Sequence, residues 1–385
     1  MCALALVISS ALLAACSSAA HQGSLVPETA HKTTTHSRHY PASHTTTRPS
    51  TTAPTLPPPS SSLPPSPTSG PLTTSASVVV PTMPEQMAAT EAPDGSVFMV
   101  PLTLAVTGAG PQIVWVVDGD GPAAVAEHLP GGANALAADT TNLYVANYLN
   151  VTAFNRATGN QSGKWSLPLT NPANTSNDNL EAMAASNGNV LVSLAQGNVV
   201  SVYRINPAST AAPQLVAQGS SAAFGPDGSV YYVRPDDHLV AQSASGQVTV
   251  GPLLADHPTT GGGGVQYVDT VAGGVVWVDE PASQGLDAAY ATYDATTLVP
   301  LGNFNSTVQQ QIVGTAAGTL TLNGSGPCPQ PAGATVTSLC VARLTPTGTT
   351  SDPLAVGSAY QLLGPDPVVL TINPANSAMV VQRLQ

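Results

Sequence analysis

Seven similar units in the part of the chain after residue 74 predict an all-β fold, a seven-bladed β-propeller. In each unit a turn rich in Gly, Asn, Asp or Pro precedes a short apolar strand, and Gly, Asn and Asp are the residues that tight strand-to-strand turns require. These strands end at Val100, Val145, Val192, Val233, Val278, Leu322 and Leu370. The ends are 41 to 48 residues apart, which is the spacing of four-stranded propeller blades. No segment sustains the 3.6-residue apolar period of a helix, so helical repeats are excluded.

Shorter apolar segments before and after this strand predict the remaining strands of each unit. A strand of small or apolar residues precedes every turn, and small residues suit a crowded central axis. We predict these inner strands at 87–89, 135–137, 182–184, 222–224, 267–269, 311–313 and 360–362. Most units also show a third and a fourth strand, as at 199–205 and 214–217. Four strands in each unit complete the propeller blade.

The two ends of the repeat region predict how the ring closes. The seventh unit has strands at 360–362, 368–372 and 379–384 and then lacks a fourth strand. An unassigned strand, Val78-Val79-Val80, precedes the first unit. We expect this N-terminal strand to become the outer strand of the last blade, because the pairing would protect an open edge. The predicted propeller domain is therefore residues 75–385.

Two sequence units carry a resemblance to known repeat families. Residues 137–147 (AADTTNLYVAN) and 225–233 (GPDGSVYYV) resemble repeats of the NHL, YVTN and quinoprotein-like β-propellers. The resemblance spans most of residues 75–385 and implies the architecture. Because many functions share this fold, the resemblance implies no particular activity.

The N-terminus predicts export and a lipid anchor. Residues 3–15 are apolar except for Ser9 and Ser10, which is the length of a signal-peptide core and too short to span a bilayer. The stretch ends in Leu13-Ala14-Ala15-Cys16, which resembles the lipobox of bacterial lipoproteins. That resemblance implies a cleaved signal peptide at 1–15, diacylglycerol and palmitate on Cys16, and a cell-membrane protein that faces the extracytoplasmic side. The alternatives are an ordinary signal peptide or an apolar terminus without a function. The stretch departs from the usual signal-peptide pattern in one respect, because no Lys or Arg precedes it.

Residues 16–74 have the composition of a disordered linker. Of the 58 residues from Ser17 to Thr74, 24 are Ser or Thr and 11 are Pro. Such a segment cannot bury enough apolar surface to offset the entropy lost on ordering. We therefore predict a disordered stalk between the lipid anchor and the propeller.

The charge of the chain excludes one class of partner. The chain has 9 Lys and Arg against 21 Asp and Glu, a formal charge of −12, and this excludes nucleic acid, whose phosphates require clustered cations.

Two cysteines lie outside the predicted signal peptide and lipidation site. With Cys2 in the signal and Cys16 lipidated, Cys328 and Cys340 remain. In an exported protein this pair is predicted to form a disulfide bond.

Long connections of the predicted propeller open on one face, which is the candidate binding face. We expect loops at 168–180, 256–264, 279–286 and 323–338 there, and short turns at 157–159 and 245–246 on the opposite face. Binding residues favour loops on a rigid scaffold. The candidate residues are Asn177, Asp178, Arg234, Asp236, Asp237, His238, Asp256, His257, Asp279 and Glu280.

Two functions remain open for this face. The first is a binding scaffold for an envelope protein or glycan, for which we expect a monomer without metal or cofactor. The second is a cell-envelope lyase or hydrolase that uses His238, His257 and neighbouring carboxylates for acid/base chemistry. No catalytic residue can be assigned from the sequence, so the binding scaffold is favoured. Trp165 is expected to pack between blades.

Overall fold

The architecture is that of a computed structural model of the 385-residue chain. Its described residues lie between 71 and 384, and the predicted signal peptide and most of the predicted linker lie outside them. The described ranges are 71–80, 87–101, 112–118, 121–129, 133–147, 149–168, 178–186, 188–196, 199–254, 267–280, 288–306, 311–315, 318–323, 339–357, 359–372 and 378–384.

All regular elements in these ranges are β-strands. In chain order they are β1 (Thr74–Val80), β2 (Met87–Glu91), β3 (Val97–Pro101), β4 (Gln112–Asp118), β5 (Gly121–Leu129), β6 (Ala135–Ala138), β7 (Asn142–Asn147), β8 (Asn150–Asn155), β9 (Gln161–Ser166), β10 (Asp178–Ser186), β11 (Asn189–Gln196), β12 (Val199–Ile205), β13 (Gln214–Gly219), β14 (Ala222–Phe224), β15 (Val230–Val233), β16 (His238–Gln242), β17 (Val248–Leu253), β18 (Tyr267–Ala272), β19 (Val275–Glu280), β20 (Ala288–Asp294), β21 (Pro300–Ser306), β22 (Gln311–Thr315), β23 (Gly318–Asn323), β24 (Cys340–Leu344), β25 (Thr350–Ala355), β26 (Ala359–Leu363), β27 (Val368–Ile372) and β28 (Met379–Leu384).

These strands form antiparallel four-stranded sheets, seven of them within the described ranges. Sheets 1 to 6 each take four consecutive strands: β2–β5, β6–β9, β10–β13, β14–β17, β18–β21 and β22–β25. Sheet 7 has the order β26-β27-β28-β1. The fold is an all-β propeller, as the repeat spacing predicts.

The second strand of most sheets is apolar on both of its faces, whereas β23 alternates buried Leu320 and Leu322 with buried Thr319 and Thr321. In β3, Val97 and Met99 pack towards sheet 7, whereas Phe98 and Val100 pack towards sheet 2. In β15, Val230 and Tyr232 likewise pack towards sheet 3 while the intervening residues pack towards sheet 5. A continuous apolar run is the pattern of a strand that is buried on both sides. This explains why these strands are the most visible feature of the sequence.

Each apolar cluster lies between two neighbouring sheets, and the clusters follow one another around the molecule. The cluster around Val97 joins sheets 7 and 1, so that the first and last sheets are also neighbours. The first strands of most neighbouring sheets contact each other, among them β2 with β6 and β26 with β2. These first strands therefore line the inside of the propeller.

Hydrogen bonds that involve a side chain cross every seam between neighbouring sheets. Trp165, which is 6% exposed, lies at the seam between sheets 2 and 3 as predicted. From sheet 1 onward, the bonds are Arg156 Nη2 to Asp94 Oδ2, Trp165 Nε1 to Ser209 O, Ser186 Oγ to Pro226 O, Tyr231 OH to Ala295 O, Thr292 Oγ1 to Pro346 O, Leu362 N to Gln311 Oε1, and Arg383 Nη1 to Glu91 Oε1.

The two ends of the described chain meet in sheet 7. Strand β1 pairs antiparallel with β28, with Val78 opposite Val381 and Val80 opposite Met379. The pairing of the N-terminal valines with the last strand is therefore found where the sequence predicts it. Val80 is fully buried and belongs to the apolar cluster between sheets 7 and 1.

A buried carboxylate ties the last sheet to the first. The Glu91 side chain is fully shielded from solvent, and its Oε1 lies 3.3 Å from Arg383 Nη1. Its Oε2 accepts a hydrogen bond from the backbone N of Asp366 at 3.2 Å, and Arg383 Nη2 also donates to the carbonyl of Gly95. Burial raises the pKa of Glu91 from 4.5 to about 7, against the opposing attraction of Arg383, and the negative charge of Asp366 adds to the increase.

Replacement of this carboxyl changes how stability depends on pH. A pKa that is raised in the folded state contributes stability below pH 4.5 that is lost as the pH rises through about 7. We expect the free energy of unfolding of the parent chain to fall across this range by up to about 3 kcal/mol relative to the Glu91→Gln variant. Urea titrations of both chains at several pH values measure the difference.

The exposed carboxyl of Asp237 provides the control. The Asp237→Asn variant removes one carboxyl without altering the contacts of Glu91 and is titrated with urea in the same way. Parallel pH profiles for the parent and Glu91→Gln would show that Glu91 does not titrate in this window.

Candidate functional site

The strand order assigns the connections to two opposite ends of the ring. One end, the loop face, carries the connections from the second to the third strand of a sheet and from each sheet to the next. The other end, the turn face, carries the remaining connections, including the short turns at 157–159 and 245–246. The predicted division into a face of long connections and a face of short turns agrees with this strand order.

Two of the predicted loops are shorter than the sequence suggests. Strand β10 already begins at Asp178, and β19 continues through Asp279 and Glu280. The predictions that placed these residues in the loops at 168–180 and 279–286 were wrong. Asp279 is 3% exposed, so its carboxyl is part of the folded interior. Asn323, likewise, is the last residue of β23.

Four of the candidate residues lie at the turn from β15 to β16, which is on the loop face. Asp237 N donates to the carbonyl of Arg234 at 2.9 Å, and Arg234 N donates to the carbonyl of His238 at 3.0 Å. Asp237 adopts a φ of 60°, a left-handed conformation that Asp tolerates better than most residues. Leu254 N donates to the carbonyl of Asp237 at 2.8 Å and ties the turn to the end of β17. The backbone of this turn is therefore fixed at both ends.

Three charged or titratable side chains meet on this turn. Arg234 Nε donates to Asp236 Oδ1 at 2.9 Å, and Arg234 Nη2 donates to Oδ2. His238 Nδ1 lies 3.4 Å from Asp236 Oδ1 and 3.1 Å from the backbone carbonyl of Asp236. The hydrogen bonds from Arg234 hold the pKa of Asp236 well below its usual range, and the same contact raises the pKa of Arg234. The turn thus presents an ionised carboxylate beside a guanidinium and an imidazole, all open to solvent.

The other candidate residues are distributed over the ring. Asp178 lies in sheet 3, and Asp279 and Glu280 lie in sheet 5. Asn177, Asp256 and His257 lie outside the described residues. The structure thus brings Arg234, Asp236, Asp237 and His238 together in sheet 4, and it places the remaining described candidates in the two neighbouring sheets.

Asp269 is a titratable residue of the inner ring that sequence analysis does not single out. The pairing of β18 with β19 shifts between Val268 and Thr270, so Asp269 is the extra residue of a β-bulge. Solvent reaches the side chain, but surrounding protein raises its pKa to about 7, and the charge of Asp279 adds to the increase. Bulges re-aim a side chain and are frequent next to functional sites. The only sequence signal is one acidic residue in a strand segment, Tyr267–Ala272, whose other residues are uncharged.

Metal and membrane sites were sought in the same described ranges. There, no group of three or more His, Cys, Asp and Glu side chains is arranged to hold a metal ion. Nor does any helix in those ranges have the length and hydropathy needed to cross a bilayer.

The comparisons with known proteins give a partial match. Residues 60–250, just under half of the chain, match a family model described as outer membrane protein assembly factor BamB. The match supports the resemblance to quinoprotein-like propellers. No curated protein matches the chain significantly.

Two solved structures with which the chain was compared show a distant likeness. The WD40 domain of Toxoplasma gondii coronin is 10% identical with a TM-score of 0.48, and the alignment covers 82% of this chain and 86% of that one. Kluyvelomyces marxianus Hsv2 is 8% identical with a TM-score of 0.47, covering 77% of this chain and 97% of that one. At these scores neither structure indicates a function.

The proximity of Asp279 to Asp269 predicts a measurable coupling. Asp279→Asn removes one of the two causes that raise the Asp269 pKa, so we expect that pKa to fall from about 7 while staying above 3.8, because desolvation by the surrounding protein remains. Carboxyl carbon chemical shifts in a pH titration report the midpoint directly. The Asp227→Asn variant, which alters the turn face of the neighbouring sheet, is the control. An unchanged Asp269 midpoint in Asp279→Asn would contradict the coupling.

Proposed function

We propose that the seven sheets are the seven blades of one propeller, closed by β1, and that this propeller is a protein-binding scaffold. In this proposal the loop face contacts the partner. The order of the strands and the apolar cluster between sheets 7 and 1 support the closed ring. The domain so defined is residues 75–385.

The observation that carries the binding function is the Arg234–His238 turn. Its backbone is held by hydrogen bonds to β16 and to the end of β17, while Asp236 and Asp237 remain exposed. Polar groups that are already fixed lose little conformational freedom when they bind a partner, and this favours affinity. A charged rim on such a surface also steers the encounter and selects the partner by charge.

The family match is consistent with a protein partner. The matched family is described as an outer membrane protein assembly factor, and a factor of that description acts on other proteins. Residues 60–250 include all of sheets 1 to 3 and most of sheet 4, so the matched region contains the Arg234–His238 turn.

An envelope enzyme is the second candidate, and one contact favours it. The 3.4 Å approach of His238 Nδ1 to Asp236 Oδ1 resembles the pairing of a general base with an orienting carboxylate. In this turn, however, both carboxylate oxygens of Asp236 already accept hydrogen bonds from Arg234. Binding therefore remains the better-supported function, and a loss of turnover in a folded His238→Ala variant would support the enzyme.

Removal of the two exposed carboxylates tests the binding face. The double variant Asp236→Asn, Asp237→Asn keeps the size of both side chains, and Asn tolerates the backbone of position 237. We expect recovery of the partner from a solubilised envelope fraction to fall by about tenfold, as loss of interface charges weakens association. Quantitative mass spectrometry of the captured proteins gives the measurement.

The matched control lies on the opposite face of the same sheet. Asp227→Asn alters the turn from β14 to β15 and should retain every partner that the parent captures. If both variants capture the same proteins in the same amounts as the parent, the loop face is not the binding surface.

We also propose that Cys16 carries lipid and that the propeller faces the extracytoplasmic side of the cell membrane. The support is the Leu13-Ala14-Ala15-Cys16 sequence at the end of an apolar stretch. The signal peptide at 1–15 and the disordered linker at 16–74 are parts of the same proposal. A disulfide between Cys328 and Cys340 remains a prediction. Cys340 is buried in β24, and Cys328 lies outside the described residues.

Lipidation is tested at the two N-terminal cysteines. In a bacterial host, the mature chain should begin at Cys16 with the mass of diacylglycerol added, and it should partition into detergent. Cys16→Ser should abolish both properties, whereas Cys2→Ser should leave them intact because Cys2 is removed with the signal peptide. An unmodified Cys16 in the membrane fraction would end the anchoring proposal.

A further inference from the structure

The outer strand of sheet 4 presents a row of apolar side chains to solvent. In β17, Val248 is 55% exposed, Val250 is 50% exposed and Leu253 is 58% exposed. No described strand lies beyond β17 in this sheet, whose order is β14-β15-β16-β17. The outward backbone N–H and C=O groups of such an edge are a template for another strand.

The other outer strands with described side chains are more polar. Strand β9 exposes Lys164, and β25 contains Asp352 and an exposed Pro353. Lys, Asp and Pro are residues that protect sheet edges against pairing with other chains. Among the described side chains, no other outer strand has more than one exposed large apolar residue. Strand β17 is therefore the least protected edge among the outer strands whose side chains are described.

One side of β17 is sealed against the next sheet. A Cβ on Gly251 would lie 2.9 Å from two atoms of Leu298, so the absence of a side chain there lets sheet 5 pack directly on the strand. Val250 is paired with Val240, which belongs to the apolar cluster between sheets 3 and 4. These contacts hold β17 in place, and its outer edge with Val248 and Val250 remains open.

The charge distribution identifies the occupant. Residues 239–254 contain no charged side chain, whereas the chain carries a formal charge of −12. Two copies of this acidic chain repel each other over most of their surface, and they approach with least repulsion at an uncharged segment. An open edge pairs with another extended strand, and a second β17 is extended, apolar and uncharged like the edge that it would cover.

We propose that two copies of the chain associate through antiparallel pairing of their β17 strands. A two-fold axis at Thr249 places Val248 opposite the Val250 position of the second copy, and by symmetry this contact occurs twice. β-Branched residues that face each other across strands stabilise the pairing. Pro252, which lacks a backbone N–H, stays outside the paired segment 248–250. The sequence alone predicts a monomer, so this association changes that expectation.

A cysteine at the symmetry axis tests the register. In Thr249→Cys the two introduced thiols face each other in directly opposed positions, so mild oxidation should give a covalent dimer of the full chain. Thr350→Cys, at an exposed Thr of β25, is the matched control and should give no more dimer than the parent. Equal cross-linking of the two variants would overturn the proposal.

A charge at the edge tests the association itself. Val250→Lys places two ammonium groups close together across the axis, and we expect the dissociation constant of the dimer to rise by about tenfold or more. Val199→Lys, at a position that is 46% exposed in β12, should leave it unchanged. Sedimentation velocity over a dilution series measures the constant, and circular dichroism checks folding. A parent chain that stays monomeric at all concentrations would overturn the proposal.

Discussion

The structure depends on sheets that are apolar on both faces. A sheet such as sheet 4 has Tyr232 on one side and Tyr231 on the other, each buried against a different neighbour. An open row of such sheets would leave one apolar face exposed at each end, at a cost of roughly 25 cal/mol per Å² of apolar surface. A ring removes both ends. In the closed arrangement, the second strand of each sheet is therefore buried on both of its faces.

Closure depends on the seam between sheets 7 and 1, because the two ends of the described chain meet there. Here the backbone pairing of β1 with β28 is reinforced by Glu91, which reaches both Arg383 and the backbone of Asp366. The carboxylate loses hydration on burial, and Arg383 compensates only in part, as the raised pKa of Glu91 shows. The seam between sheets 1 and 2 also carries an ion pair, Arg156 with Asp94, whereas other seams have neutral hydrogen bonds, such as that from Tyr231 OH to the carbonyl of Ala295. The loop face takes little part in these bonds, so its connections are free to serve binding.

The sequence predicts those parts of the fold that follow from burial on two sides. Val97 to Val100 in β3 form a continuous apolar run, and such runs locate the second strand of most sheets, although β23 alternates Leu with buried Thr. Strand β10 was predicted only at 182–184, although it extends from Asp178 to Ser186, because a bulge between Leu180 and Ala182 breaks its alternation. Asp279 was assigned to a loop because it is acidic, yet it is buried in β19. Asp269 was not selected because its re-aimed side chain follows from strand register, which local sequence does not show.

The strand directions also relate the two proposed surfaces of this protein. Strand β17 follows the short turn at 245–246 on the turn face, so it runs towards the loop face, where Leu254 meets Asp237. Antiparallel pairing of two β17 strands reverses this direction in the second copy. The loop faces of the two copies then point in opposite directions, and neither Arg234–His238 turn lies in the interface. The proposed association at the edge would therefore leave both loop faces open, with two separate candidate binding surfaces in each dimer.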